Sequence, residues 1–259
     1  MTIKPSALIV DRKQGNAPVW PRPHLPLTFP QGRIDVYSVR LDEPSTSVSE
    51  APVLSPDERA RSRRFHFERD QIHFSRCRSA LRELLAGYLA IPAVEIRFEY
   101  LSSGKPQLTS EQNPRALQFN VSHSANMGLI AIGGEHRLGV DIEKIRADVD
   151  TVALAERFFS LRERAGLQDL PDRLRVPAFF ACWTRKEAFL KATGHGLSFP
   201  LADFSVSTHP EEDPKLEEMC GNVEVKKKWF LSDLKPIDGF RAAVAIESSK
   251  LQLETFAWN

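Results

Sequence analysis

The chain is poor in cysteine. Its three, Cys77, Cys182 and Cys220, are odd in number and show no CxxC spacing. That argues against a disulfide framework and a zinc motif, and it points to a reducing compartment. Long apolar runs are missing too. The longest near the N-terminus, Ala7-Leu8-Ile9-Val10, is too short for a signal or membrane segment. The expectation is a soluble, cytoplasmic protein that engages no membrane. Nor is there an excess of one charge. Against 35 Lys and Arg stand 34 Asp and Glu, a net +1, so no global field argues for nucleic acid. With 259 residues, 42% hydrophobic and 27% charged, the chain can bury a core as one large domain or two modest ones.

Residues 1–32 are proline-rich, with Pro18, Pro21, Pro23, Pro26 and Pro30 around Trp20. Proline removes backbone donors from a ladder, so this reads as an extended arm. Trp20 is expected to pack the arm onto the body rather than to bind a ligand.

From residue 33 the chain repeats itself. Arg33-Ile34-Asp35-Val36-Tyr37 matches Arg137-Leu138-Gly139-Val140-Asp141, and Ser55–Ala60 matches Ser160–Ala165. Helical stretches follow each, over about 70–90 and 176–193, with Leu81, Leu84, Leu85, Tyr88 and Leu89 striping the first. Pro92–Ile96 then parallels Pro200–Phe204, and Leu129–Ile132 parallels Ala243–Ile246. Ser55-Pro56-Asp57-Glu58 and Ser160-Leu161-Arg162-Glu163 both carry the capping-box pattern. The order predicts an α+β fold of two similar halves, 33–136 and 137–259, about a pseudo-twofold axis. In this alignment Tyr37 takes the place of Asp141, and Arg82 that of Glu187. The halves agree in scaffold and differ at the carboxylates.

Those carboxylates carry the chemistry. In Arg137–Glu143, alternation puts Leu138, Val140 and Ile142 on one face and Gly139, Asp141 and Glu143 on the other. Two carboxylates at i, i+2 stand about 7 Å apart, near enough to straddle a cation. Trp183, Glu187 and Lys191 step round a helix by only about 40° per pair and share a side. A Glu–Lys pair there could be a plain surface pair contributing roughly 0.2–0.5 kcal/mol. Joined to Asp141 and Glu143, Glu187 instead becomes a third hard oxygen ligand, a set that suits Mg²⁺. Two further stretches point to the seam between the halves. Ser103-Gly104-Lys105-Pro106 is a turn presenting a cation. Phe119-Asn120-Val121-Ser122-His123-Ser124 offers Ser122 and His123. No spacing fixes an acidic partner for a serine nucleophile, and these groups are better suited to holding phosphate oxygens.

FNVSHS at 119–124, GVDIEK at 139–144 and WTRKEAFLKATGHG at 183–196 resemble the ordered motifs of the Sfp-type 4′-phosphopantetheinyl transferases. Gly104-Lys105-Pro106 is similar to that family's GKP turn, and Ser55–Arg64 to its basic segment. The resemblance spans about residues 33–250 and implies a pseudo-duplicated α+β monomer. It implies transfer of the phosphopantetheine arm of coenzyme A to a serine of an apo acyl or peptidyl carrier protein. It further implies that Asp141, Glu143 and Glu187 hold Mg²⁺ and that Lys105, Ser122, His123 and Arg61 contact coenzyme A. Asn120 belongs to the same binding stretch. Lys191 would reach the pyrophosphate with Lys186 beside it, Arg64 and Arg78 would be lesser phosphate contacts, and Glu187 would be the base. Two other functions remain compatible with these residue types. One is a Mg²⁺-dependent phosphoesterase acting on a coenzyme A-like nucleotide. The other is a non-catalytic coenzyme A-binding module.

Overall fold

The computed structural model describes residues 19–42, 53–101, 104–194, 199–248 and 251–258. Ser103, His195, Gly196 and the arm before residue 19 lie outside them. The first half runs β1 (Arg33–Arg40), α1 (Pro56–Ser62), α2 (Glu68–Leu89), β2 (Phe98–Tyr100), β3 (Pro106–Leu108), β4 (Gln118–Ser124) and β5 (Met127–Gly133). The second runs β6 (Leu138–Lys144), α3 (Thr151–Phe158), α4 (Leu161–Gln168), α5 (Asp172–Thr193), β7 (Phe204–Val206), β8 (Leu216–Met219), β9 (Phe230–Leu234) and β10 (Phe240–Ile246). A last strand, β11 (Gln252–Trp258), closes the order. The fold is α+β.

The repeat is present in the strand order. One sheet reads β11-β1-β5-β4 and the other β6-β10-β9. Without β11 the two orders are the same, and β1 meets β5 antiparallel as β6 meets β10. Alternation along each strand builds three apolar layers. Ile34, Val36, Leu129 and Ala131 meet Leu138, Val140, Ile142, Val244 and Ile246 between the sheets. On the outer face of the first sheet, Tyr37, Ile130 and Ile132 pack against Leu81, Leu84, Leu85 and Tyr88 of α2. On the outer face of the second, Ala243 and Ala245 share a core with Phe189 and Leu190 of α5.

Both short helices start on the expected capping boxes. Ser55 N–H donates to Glu58 Oε2 at 2.9 Å, and Ser160 N–H to Glu163 Oε2 at 2.8 Å. Each capping glutamate then reaches the following long helix. Glu58 pairs with Arg82 at 2.6 Å and Glu163 with Lys186 at 2.7 Å. This equivalence corrects the alignment of the halves. Arg82 corresponds to Lys186, and the counterpart of Glu187 is Glu83. The sheet needs the same correction. Asp141 lies opposite Ala243 and Tyr37 opposite Ile130, so Ile130 matches Ala243. Leu129 and Ala243 face different cores, because a one-residue slip turns every side chain of a strand over.

One strand crosses the expected division at residue 137. β11 leaves the second half and pairs in parallel with β1 along its length, from Arg33↔Gln252 to Val39↔Trp258. The described part of the arm is packed as expected of Trp20. That indole is 7% exposed in the core between the sheets. Pro21 O accepts from Ala257 N–H at 2.8 Å, while Leu27 and Phe29 pack beside α2.

Candidate active site

The edge strand β6 needs partners for backbone groups that no neighbouring ladder satisfies. β4 supplies them from its side chains. Asn120, Ser122 and Ser124 alternate onto one face of β4. Asn120 Oδ1 accepts from Val140 N–H at 2.9 Å, Ser122 Oγ donates to Asp141 Oδ1 at 2.8 Å, and Ser124 Oγ donates to Glu143 Oε2 at 2.8 Å. Lys144 N–H donates to Ser124 Oγ at 3.1 Å. The seam between the halves is thus a polar zipper, and the acids of GVDIEK lie along it.

α5 lies across β6 at Gly139. A methyl group on Gly139 would overlap the Ala188 carbonyl oxygen and the Ala192 nitrogen, and would stand 2.9 Å from the Lys191 carbonyl carbon. Glycine lets the helix come this close, which brings Lys191 onto β6. Its Nζ donates to Asp141 Oδ1 at 2.6 Å and to Ser122 Oγ at 2.9 Å. The Glu187–Lys191 surface pair is not what forms: the lysine turns to the strand.

Asp141 is 3% exposed, and its Oδ2 is buried without a partner among the described residues; so is Glu187 Oε1. Burial raises the pKa of all three acids, Asp141, Glu143 and Glu187. The charge of Asp141 raises Glu143 and Glu187 further, while Lys191 lowers all three. Three acids that repel one another, two with an orphaned buried oxygen, fit a hard divalent cation. As the side chains lie, no three His, Cys, Asp or Glu among the described residues close round a metal position. The donors are right in kind, and the closed ligand geometry is not formed.

The other expected contacts divide. Lys105 and Asn120 line a cleft of about 250 Å³ with Pro106, Phe119, Lys191 and Gly194. Further along β4, exposed His123 opens into a broad cavity of about 1270 Å³ with Phe65, His73, Arg76, Glu143 and Arg146. Ser122 and His123 are consecutive on a strand and point apart, so they form no nucleophile–base pair. Arg61 is exposed at the end of α1, its guanidinium 5.6 Å from the Phe74 ring centroid.

Two expected contacts lie buried away from the cleft. Lys186 is 0% exposed and donates to both Glu163 oxygens and to Phe204 O at 2.6 Å. Its ammonium is enclosed by α4, α5 and β7. Arg78 is likewise buried, 3.2 Å from Glu58 and bonded to the Tyr100 hydroxyl at 3.0 Å. Sequence reasoning passed over Arg185, fully buried, which ties α5 to β9 through Asp233 at 2.6 Å and to the carbonyls of Ser207 and His209. It passed over Ser124 as well, although the alternation Asn120, Ser122, Ser124 carried that signal.

The chain is thus a duplicated α+β fold with three acids and a lysine along one seam. Residues 137–245 match the family model of the 4′-phosphopantetheinyl transferase superfamily, and residues 43–135 match that of the 4′-phosphopantetheinyl transferase N-terminal region. The chain is 37% identical over 221 residues to the 4′-phosphopantetheinyl transferase HetI of Nostoc sp., covering 85% of this chain and 90% of that one. It is 28% identical over 185 residues to the 4′-phosphopantetheinyl transferase Sfp of Bacillus subtilis, covering 70% and 80%. The crystal structure of Thermotoga maritima holo-[acyl-carrier-protein] synthase aligns with 44% of this chain and 63% of its own at 22% identity and a TM-score of 0.34. The chain belongs to the 4′-phosphopantetheinyl transferase family and is an enzyme of that class.

Proposed function

We propose that the protein transfers the 4′-phosphopantetheine arm of coenzyme A to a serine of an apo acyl or peptidyl carrier protein in a Mg²⁺-dependent reaction. The observation that carries this is the pair of orphaned buried oxygens, Asp141 Oδ2 and Glu187 Oε1, beside Lys191. Asp141, Glu143 and Glu187 would hold Mg²⁺, which would neutralise pyrophosphate charge there. The serine oxygen bonds to the β-phosphorus of coenzyme A as that phosphorus loses its bridging oxygen. The leaving 3′,5′-ADP takes the electron pair, and the serine proton passes to Glu187 directly or through water. A carboxylate that holds Mg²⁺ would be a weak base, so its role as ligand is the firmer of the two. Lys191 moves from Asp141 to the developing phosphate charge, a task of positioning and electrostatics. Lys105, Asn120 and Ser122 would wall the coenzyme A site on the Lys191 side, and His123 and Arg61 would meet it from the other. The chain acts as a monomer, because the halves supply to each other the burial that a dimer would provide.

The test is intact-mass analysis after incubation with coenzyme A, Mg²⁺ and a panel of apo-carriers. A carrier gaining one phosphopantetheine with release of 3′,5′-ADP is the expected result. Coenzyme A cleaved equally well without a carrier would favour the phosphoesterase. Binding without turnover would favour the non-catalytic module. Light scattering that found an obligate dimer would remove the one-chain site.

A further inference from the structure

We propose that Lys105 is a positioning residue that clamps the last turn of α5 onto β6, across the seam, and thereby sets Lys191 against Asp141. This inference rests on the transferase reading for its kinetic consequence, though not for its geometry.

The turn that carries Lys105 is built to aim it. Gly104 takes a left-handed φ of +79°, its N–H donates to Leu101 O at 2.8 Å, and Leu101 N–H donates to Lys105 O at 3.0 Å. Pro106 then opens β3 opposite Tyr100. From this turn the ammonium crosses into the second half. Nζ donates to the Lys191 carbonyl at 2.7 Å and to the Leu138 carbonyl at 3.3 Å. The last carbonyls of a helix lack intrahelical partners and carry the negative end of its dipole. In α5, Leu190 O is taken by Gly194 N–H at 3.0 Å and by the Thr193 hydroxyl at 3.0 Å. Lys191 O is taken by Lys105, a helix cap supplied by the other half.

The two carbonyls flank the place where the helix meets the strand. Leu138 precedes Gly139, the residue whose missing side chain admits α5. Gly139 permits the approach, and Lys105 holds it. The carbonyl it holds belongs to the residue whose side chain bonds Asp141 and Ser122, so slack in the last turn passes directly to that ammonium. Lys105 forms no ion pair among the described residues. Burial, with the charge of Arg137 adding to it, pushes its pKa down to about 8. Both bonds its ammonium makes among the described residues go to carbonyls.

The experiment compares wild type with K105M, which keeps the stem and loses the ammonium, and with K105R, whose fork can span two carbonyls. For K105M we expect amides 190–194 to exchange hydrogen faster while the middle of α5 is unchanged. With coenzyme A, Mg²⁺ and a carrier that wild type modifies, kcat should fall about 10–100-fold, the scale of a small misplacement. KM for coenzyme A should stay within about threefold, and K105R should recover part of kcat. A tenfold rise in KM with kcat and amide exchange unchanged would overturn the clamp and make Lys105 a phosphate ligand. If wild type modifies no carrier, the transferase reading fails, and amide exchange alone still decides the clamp: unchanged exchange rejects it.

Discussion

Gly139 lies directly under Ala188: the strand carrying Asp141 and the helix carrying Glu187 touch backbone to backbone, with no room for a methyl group between them. This contact sets the distance between the acids of β6 and the side chains of α5. Gly139→Ala should destabilise the fold by at least about 1–3 kcal/mol, the usual cost of overpacking. It should lower transfer further than that loss explains, because α5 must move off β6. Denaturant unfolding beside transfer rates checks this. Wild-type activity in the variant would show that the contact does not set the site.

Asp141→Ala and Glu187→Ala should each abolish transfer, roughly 10³-fold or more, while the chain stays folded. Glu143→Gln should be milder, because the amide can still take the Ser124 bond through its oxygen and water can fill the other place. Near wild-type rates in either alanine variant at ordinary Mg²⁺ would remove these residues from the site.

The raised pKa of Glu187 has a consequence for stability. Its folded state holds a proton more tightly than the unfolded chain does. Stability is therefore lost as pH rises from the unfolded value, near 4.5, through the raised folded value, and the penalty is complete above that. Glu187→Gln should relieve it, so in EDTA at pH 7 the variant should melt at or above wild type. At pH 4 the advantage should shrink. Adding Mg²⁺ should raise the wild-type melting temperature by mass action and the variant's by less. A variant that melts lower in EDTA yet gains as much from Mg²⁺ would contradict the electrostatic account.

Lys186 and His123 should separate stability from binding. Lys186→Met leaves the Glu163 carboxylate buried and unpaired, a loss of about 3–5 kcal/mol, with little change in coenzyme A affinity for the protein that remains folded. His123→Ala should leave stability alone and weaken coenzyme A binding by about 1.5–3 kcal/mol if the imidazole meets a phosphate. Calorimetry and denaturant unfolding on both read the contrast. The opposite pattern would exchange their roles.

Much of this protein was legible in its sequence. Residue type and short-range period are sequence properties, so the capping boxes at Ser55 and Ser160, the alternation of Asp141 and Glu143, and the α2 stripe could all be read directly. The repeat was legible as well, because each copy of the scaffold keeps its own pattern. What needed the tertiary structure was register and company. The alignment slipped by one residue at Arg82 and again at β5, since no local signal distinguishes neighbours on a helix or strand until a partner covers one of them. Lys186 and Glu187 differ by about 100° around α5, which is enough to bury one against Glu163 and leave the other at the seam. Motif position made both look functional, and only packing parted them. The same holds for Lys191, whose partner is Asp141 on another element rather than Glu187 one turn away. It holds too for β11, which returns to β1. A strand records in its own residues that it will pair, while its partner is chosen by which edge the rest of the fold leaves open.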